Sequence, residues 1–312
     1  MAERHCVDRE VTRRDFIRMG VAGGGAIVLA GRVAVPAEAK PKKTDIWVFR
    51  GTDKKKMMTA CLKQIAKQGG FGKDAKKLTL KVNAAWWRTP EQWANTNPVL
   101  VDTFLKGCKD QGIKEIVIPE NPVDPASRSF PRSGLLDVAK SNSVKMIDLR
   151  SDPGHFKEVE LPKAKRLKKA EVGKHFLETD VVVNMPVAKH HGGASLTIAM
   201  KNWMGSVRDR RFWHRNDLHQ CIADYSTFIK PKWIIVEAIR VMLDRGPKGP
   251  SKNMQKLDRL VLATDQVAAD AYVASLLPAR FRQRARFLTI AREMKIGVTD
   301  VSQMAIHEIE VS

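Results

Sequence analysis

From residue 46 onward the chain alternates between two periods of apolar spacing. Ile46-Trp47-Val48-Phe49-Arg50 predicts a first strand. Lys54 to Gln68 follows, with apolar side chains at 57, 58, 61, 62 and 65. That is helical spacing, and Gly69, Gly70 and Gly72 end it. Leu78 to Val82 predicts a strand ending at Asn83, Pro98 to Gln111 a helix stopped by Gly112, and Ile113 to Pro119 a third strand. Strand, helix, strand, helix, strand is the rhythm of a parallel sheet covered by helices.

The polar, proline-bearing stretch Glu120 to Arg132 is expected to be a loop and Leu135 to Lys140 a helix. Val144 to Leu149 is expected to be a strand and Val172 to Glu178 a short helix. Asp180 to Pro186 has an apolar centre, as in the middle of a parallel sheet. Trp233 to Glu237 and Leu260 to Thr264 are similar, and Asp265 to Leu277 reads as a helix. The tail from Phe287 is short and mixed. The fold class expected is α/β, one domain over residues 40–312, with a mostly parallel sheet, helices on both faces, and a small subsidiary lobe within 120–175.

Residues 1–39 have a different character. Thr12-Arg13-Arg14-Asp15-Phe16-Ile17-Arg18 carries the twin-arginine pattern, Met19 to Gly31 is a short Gly-rich apolar stretch, and Ala37-Glu38-Ala39 offers a small-x-small cleavage site. The expectation is a signal peptide read by the twin-arginine translocase, which carries folded proteins to the periplasm or another extracytoplasmic space. No run of 18 apolar residues is present, so no ordinary membrane span is expected.

The chain has a net charge of +21, and residues 1–39 balance six arginines against five acids, so nearly all of the excess lies in the body. Such an excess favours anions, whether a small molecule or an acidic protein partner. Nucleic acid is disfavoured, because no zinc-finger spacing, basic zipper or aromatic RNA-binding motif accompanies the charge. Cys61, Cys108 and Cys221 lie in the body without a C-x-x-C, so the chain carries no iron–sulfur cluster motif and no thioredoxin-type pair.

Candidate chemistry gathers after strand ends, where ligands bind in open α/β sheets. Asn83, Glu120, Asn184, Glu237 and Asp265 hold such positions. The densest patch is Asn184 to Gly193, followed by Met200-Lys201-Asn202-Trp203-Met204-Gly205 and by His214 and His219. Lys189 and Lys201 suit a carboxylate or phosphate, with Asn202 as a neutral donor. His190 and His191 are adjacent and point to opposite sides of an extended segment, and His191 is preferred as the site residue. His191 and His214 are also candidate ligands for a divalent metal. Trp86, Trp87 and Trp93 flank a loop after Asn83, and Gly246-Pro247-Lys248-Gly249-Pro250 forms a basic turn-rich loop. No nucleotide P-loop, G-x-S-x-G or H-E-x-x-H occurs.

Asn184-x-Pro186, Lys189-x-His191 and Lys201-Asn202-x-x-Gly205, together with Lys81-Val82-Asn83, Asp244-x-Gly246-Pro247 and Asp265-x-Val267-Ala268-x-Asp270, resemble the family called domain of unknown function 362. They run in that family's order over nearly all of the body. The resemblance implies a shared site at Lys81, Asn83, Lys189, His191, Lys201, Asn202, His214, Asp265 and Asp270, with Asp265 alternatively a helix cap. Family members often carry a ferredoxin-like module or cluster cysteines, and this chain has neither. Two functions stay open. One is an enzyme or redox-accessory protein acting on an anionic ligand, with His191, Lys189 and Lys201 as catalytic candidates. The other is a non-catalytic ligand- or partner-binding protein.

Overall fold

The computed structural model describes residues 43–312, and the twin-arginine segment lies outside the described residues. Residues 43–312 belong to one compact unit. The elements are β1 (Thr44–Arg50), α1 (Lys54–Lys67), β2 (Lys77–Val82), α2 (Pro98–Asp110), β3 (Glu115–Glu120), α3 (Ala126–Arg132), α4 (Leu135–Ser141) and β4 (Lys145–Asp148). After them come β5 (Phe156–Glu160), β6 (Lys169–Gly173), β7 (Val181–Met185), β8 (Val187–His191), β9 (Ser195–Thr197), α5 (Ala199–Asn202), α6 (Arg210–Arg215) and α7 (Leu218–Phe228). The last are β10 (Trp233–Met242), β11 (Met254–Ala263), α8 (Gln266–Ser275), α9 (Ala279–Arg284), α10 (Arg286–Glu293) and β12 (Met304–Glu310).

The main sheet runs β12-β1-β11-β10-β7-β2-β3-β4. Every neighbouring pair along it is parallel except the two that involve β11, which is antiparallel to both β1 and β10. β8 continues alongside β10 past the end of β7, and β9 folds back on β8. Alternate side chains of each strand enter cores on opposite faces. Ile46 and Val48 pack with α7, α8 and α10, whereas Trp47 and Phe49 pack with α1, α2 and α4. The expected α/β sandwich with helices on both faces is therefore present.

Helices α1 and α2 begin where their first-turn N–H groups find side-chain acceptors. Asp53 receives Lys56 N–H and Asn97 receives Val99 N–H, and α2 also has Pro98 at its first position.

Several expectations are corrected. The stretch 120–132 is not wholly loop, since α3 occupies its second half and tolerates Pro131 inside it. Residues 172–178 do not begin as a helix. Val172 pairs with Lys157 in the two-stranded β5–β6 sheet, and only a 3-10 turn over Lys174–Phe176 follows. The expected lobe at 120–175 shrinks to this hairpin, because β4 joins the main sheet beside β3. The strand at Trp233 continues to Met242, past an irregularity between Ala238 and Arg240. The mixed tail holds α10 and the parallel edge strand β12.

Candidate functional site

The C-terminal ends of β2 and β3 and the strand β8 open on one cleft of about 520 Å³. Lys81 is the penultimate residue of β2 and Asn83 follows its last; Glu120 ends β3. Lys189 and His191 stand two apart on β8 and so share a face. Thr197 ends β9, Lys201 and Asn202 come from α5, and Arg210 and His214 from α6. All of these line the cleft.

Three lysines converge there in different states. Lys81 is almost wholly buried (1% exposed) and its Nζ donates to Glu120 Oε2 at 2.9 Å and to Val82 O at 2.5 Å. Burial pulls its pKa down and the Glu120 carboxylate pulls it back up. Lys189 is fully buried, and its Nζ donates to Asn83 Oδ1 at 3.0 Å and to Ala94 O. Burial and then the Lys201 charge hold its pKa well below the usual lysine range. Lys201 (7% exposed) has a single hydrogen-bond partner, the thioether sulfur of Met204 at 3.3 Å. Burial, with Arg210 adding to it, pulls its pKa down to about 7.

A chain of amides sets this geometry. Asn202 Oδ1 receives Asn83 Nδ2 at 3.1 Å, and Asn202 Nδ2 donates to Asn184 Oδ1 at 2.8 Å. Asn184 Nδ2 in turn holds Ala199 O at 3.0 Å. Asn184 is thus behind the cleft, as the residue that orients Asn202 and α5. Gly205 is required where it stands. A Cβ there would lie 1.7 Å from Glu120 Oε1 and 2.8 Å from Lys81 Nζ.

His191 Nδ1 accepts the N–H groups of Gly193 at 3.1 Å and Ala194 at 3.0 Å, which places the ring proton on Nε2. Burial, then the charges of Lys201 and neighbouring groups, drives its pKa down to about 2, so the imidazole is neutral. Its ring stacks on His214 with centroids 6.2 Å apart. The alternation expected for the His190–His191 pair is observed. His190 lines a separate cleft with Asp244, Arg245, Arg280 and Arg284 and accepts Gly246 N–H at 3.1 Å.

Other expected residues are elsewhere. Asp265 ends no strand of the parallel set. Because β11 runs the opposite way, its end lies at the other edge of the sheet, and Asp265 caps α8 by accepting Val267 and Ala268 N–H. It also accepts Val298 N–H. Asp270, fully buried, accepts Ala199 N–H at 2.7 Å and Met200 N–H at 3.1 Å, so it anchors the turn that carries Lys201 without facing the cleft. Burial pushes its pKa up to about 8 against the pull of those two bonds. His219 accepts Phe287 N–H and stacks on that ring. Glu237, mid-strand and fully buried, accepts Asn97 N–H, and burial pushes it to about 7.

Residues that the sequence did not single out complete the wall. Arg210 donates to Asn121 O at 2.6 Å and Pro122 O at 2.7 Å, and Arg150 and Arg211 line the same cleft. The signal for Arg210 and Arg211 is the basic residues crowded near His214, and for Arg150 its place just after the expected strand Val144 to Leu149. In all, six lysines and arginines face one carboxylate, Glu120, which Lys81 already engages. Thr197 Oγ1 and Asn121 Oδ1, also on this wall, are buried without a hydrogen-bond partner among the described residues. Trp86 and Pro247 contribute apolar surface, and Arg88 ties their two loops by donating to Lys248 O and Gly249 O. Trp87 is exposed under Arg128, and Trp93 stacks between Lys54 and Arg240.

This donor set does not fit a divalent cation. Among the described residues no three His, Cys, Asp or Glu side chains gather to hold one. The His191–His214 pair stands instead among uncompensated positive charge, with one ring nitrogen of His191 already committed.

A family model described as "Domain of unknown function (DUF362)" matches residues 78–275, which span the whole cleft wall from Lys81 to His214. The chain belongs to this family. A thylakoid-associated protein of Synechocystis sp. is 20% identical over 250 residues, covering 76% of this chain and 73% of that one. Two solved structures are similar to the chain over part of their length. A Thermotoga maritima protein has a TM-score of 0.43 at 10% identity, covering 82% of this chain and 60% of its own. The lactate racemase apoprotein of Thermoanaerobacterium thermosaccharolyticum has a TM-score of 0.45 at 13% identity, covering 72% of this chain and 55% of its own. The DUF362 chain thus spans less than two thirds of either neighbour, and scores this low transfer no chemistry.

Proposed function

We propose that this DUF362 protein binds a small carboxylate- or phosphate-bearing molecule in the Lys201 cleft and moves a proton on it with Lys201, while the His191 Nε2–H donates a hydrogen bond to it. The observation that carries this reading is the make-up of the wall, three arginines and three lysines to one carboxylate that Lys81 already engages. An anion entering there meets Lys201 and the unpartnered Thr197 hydroxyl, and gains from a site already shielded from water. Lys201 supports the acid–base part, because its pKa lies at about 7, and His191 offers a fixed donor, its imidazole being neutral with the Nε2 proton set by the bonds to Nδ1.

The test is isothermal titration with oxalate and with inorganic phosphate. Binding that weakens at least tenfold in Lys201→Met supports the reading, whereas equal binding by the variant and the wild type, or none by either, overturns it.

Export belongs to the same proposal. The Arg13-Arg14 motif of residues 1–39 supports delivery to the periplasm by the twin-arginine translocase. Retention of an Arg13→Lys/Arg14→Lys variant in the cytoplasm is the expected result, and unchanged export refutes it.

A further inference from the structure

Lys201 differs from the other two lysines of the cleft in what surrounds its nitrogen. An ammonium carries three N–H donors and no lone pair. Lys81 and Lys189 each find oxygen acceptors for theirs. Lys201 Nζ has only the Met204 thioether, a weak acceptor, and no carboxylate lies within ion-pair distance of it among the described residues. At 7% exposure, water does not make up the deficit. The charged group that acts on it is positive, Arg210, and Lys189, held below the usual lysine range, shares the cleft with neutral His191 and His214. Such surroundings suit the neutral amine, which needs no counter-ion and offers a lone pair.

We propose that Lys201 is a nucleophilic amine that forms an imine with a small 2-oxo acid bound in the cleft. The inference rests on the anion-binding reading above and narrows it to a substrate class. Two features select this class. A desolvated lysine beside a second cation is the standard route to an amine that attacks carbonyls near neutral pH. The surrounding arginines Arg210 and Arg211 attract the carboxylate that such a carbonyl compound carries.

The step balances without a co-reactant. The Nζ lone pair adds to the carbonyl carbon and the C=O electron pair passes to oxygen. Both protons of the nitrogen pass to the oxygen, which leaves as water, while the His191 Nε2–H donates a hydrogen bond to that oxygen. A C=N bond replaces C=O, and oxidation state is unchanged. The Thr197 hydroxyl, buried and unpartnered on the same wall, is placed to donate to the carbonyl oxygen during the addition.

The pKa of about 7 agrees with this geometry. At pH 7 on the order of half of the Lys201 side chains are neutral, against roughly one in two thousand for an ordinary lysine of pKa near 10.4.

The experiment incubates the full protein with pyruvate or glyoxylate, reduces with borohydride, and maps the adduct by peptide mass spectrometry. The expected result is a single reduced adduct on Lys201, favoured over all surface lysines by on the order of 100-fold at pH 7, and absent in Lys201→Arg. Oxalate titration of wild type and of Lys201→Arg, which keeps a cation, accompanies it, with circular dichroism confirming that the variant folds. If oxalate binds and neither 2-oxo acid is trapped on Lys201, or adducts spread evenly over surface lysines, the imine inference fails and the anion-binding reading survives. If oxalate does not bind wild type, both fall.

Discussion

Gly205→Ala isolates the ion pair behind the cleft. The added methyl would sit 1.7 Å from Glu120 Oε1, well inside van der Waals contact, and 2.8 Å from Lys81 Nζ. Backbone strain does not enter, since Gly205 is not among the residues of positive φ. Nor can the neighbour simply turn to water: Glu120 and Lys81 are both 1% exposed, and Glu120 Oε2 also receives Ala84 N–H at 3.1 Å. Moving the carboxylate far enough to admit the methyl breaks its 2.9 Å contact with Lys81. Separating a buried pair costs about 3–5 kcal/mol. In a domain of this size that lowers Tm by on the order of 10 °C. Guanidinium and thermal unfolding of wild type and variant measure it. Gly192→Ala is the control, because a Cβ there meets nothing within 4 Å and the change stays within about 0.5 kcal/mol. The sharper arm is a double-mutant cycle. In a Glu120→Ala background the atoms struck first are gone, so Gly205→Ala costs less than about 1 kcal/mol. Should Gly205→Ala prove as mild as Gly192→Ala, or cost the same with and without the Glu120 carboxylate, the packing argument for the cleft floor is refuted.

Further expectations follow the same logic. Lys201→Met removes a buried ammonium without a counter-ion and raises stability at pH 7 by about 1–4 kcal/mol, while abolishing oxalate binding. The unfolded lysine keeps its proton up to about pH 10.4 but the native one loses it near 7. Wild-type stability therefore climbs as pH rises across that window, and the stability difference between the variant and the wild type shrinks towards pH 10. His191, neutral when folded down to about pH 2, takes up a proton on unfolding below about pH 6.5. It therefore costs stability as pH falls from 6.5. His191→Gln removes up to one proton from the acid-side slope, and the wild-type ring resonances stay flat in an NMR titration from pH 8 to 4. Asp270→Ala strands the N–H groups of Ala199 and Met200, each worth about 1–3 kcal/mol when buried and unmet. Loss of both stability and oxalate affinity is expected, and retained affinity would show that α5 needs no such anchor.

The distribution of hits and misses in the sequence has physical causes. Lys81, Asn83, Lys189, His191, Lys201, Asn202 and His214 do meet in one cleft, because β2 and β7, the strand that leads into β8, run parallel side by side and their ends fall at one sheet edge. Asp265 would join them only if every strand ran the same way. Strand direction depends on pairing with β10 and β1 at the far side of the sheet, which no local pattern encodes. β8 was hidden by Pro186, which breaks the apolar run after β7 although the chain resumes extended geometry one residue later. Arg210 belongs to no sequence motif, since it is held by backbone carbonyls across the cleft. The charged state of Lys201 is a matter of what is missing around it, and absences of that kind exist only in three dimensions.

Strand β1 lies between β11 and β12, with Thr44 opposite Met304 and Arg50 opposite Glu310. The first strand of the body is therefore completed by the last. On a ribosome, β1 emerges early and waits through the synthesis of some 250 residues before its second neighbour exists. Pairing of this edge therefore waits for residues 304–310, and a chain ending before Met304 leaves β1 unpaired on that side. Release of a chain ending before Met304 is expected to produce a protease-sensitive, aggregation-prone species, because the edge of the sheet is closed only by residues 304–310.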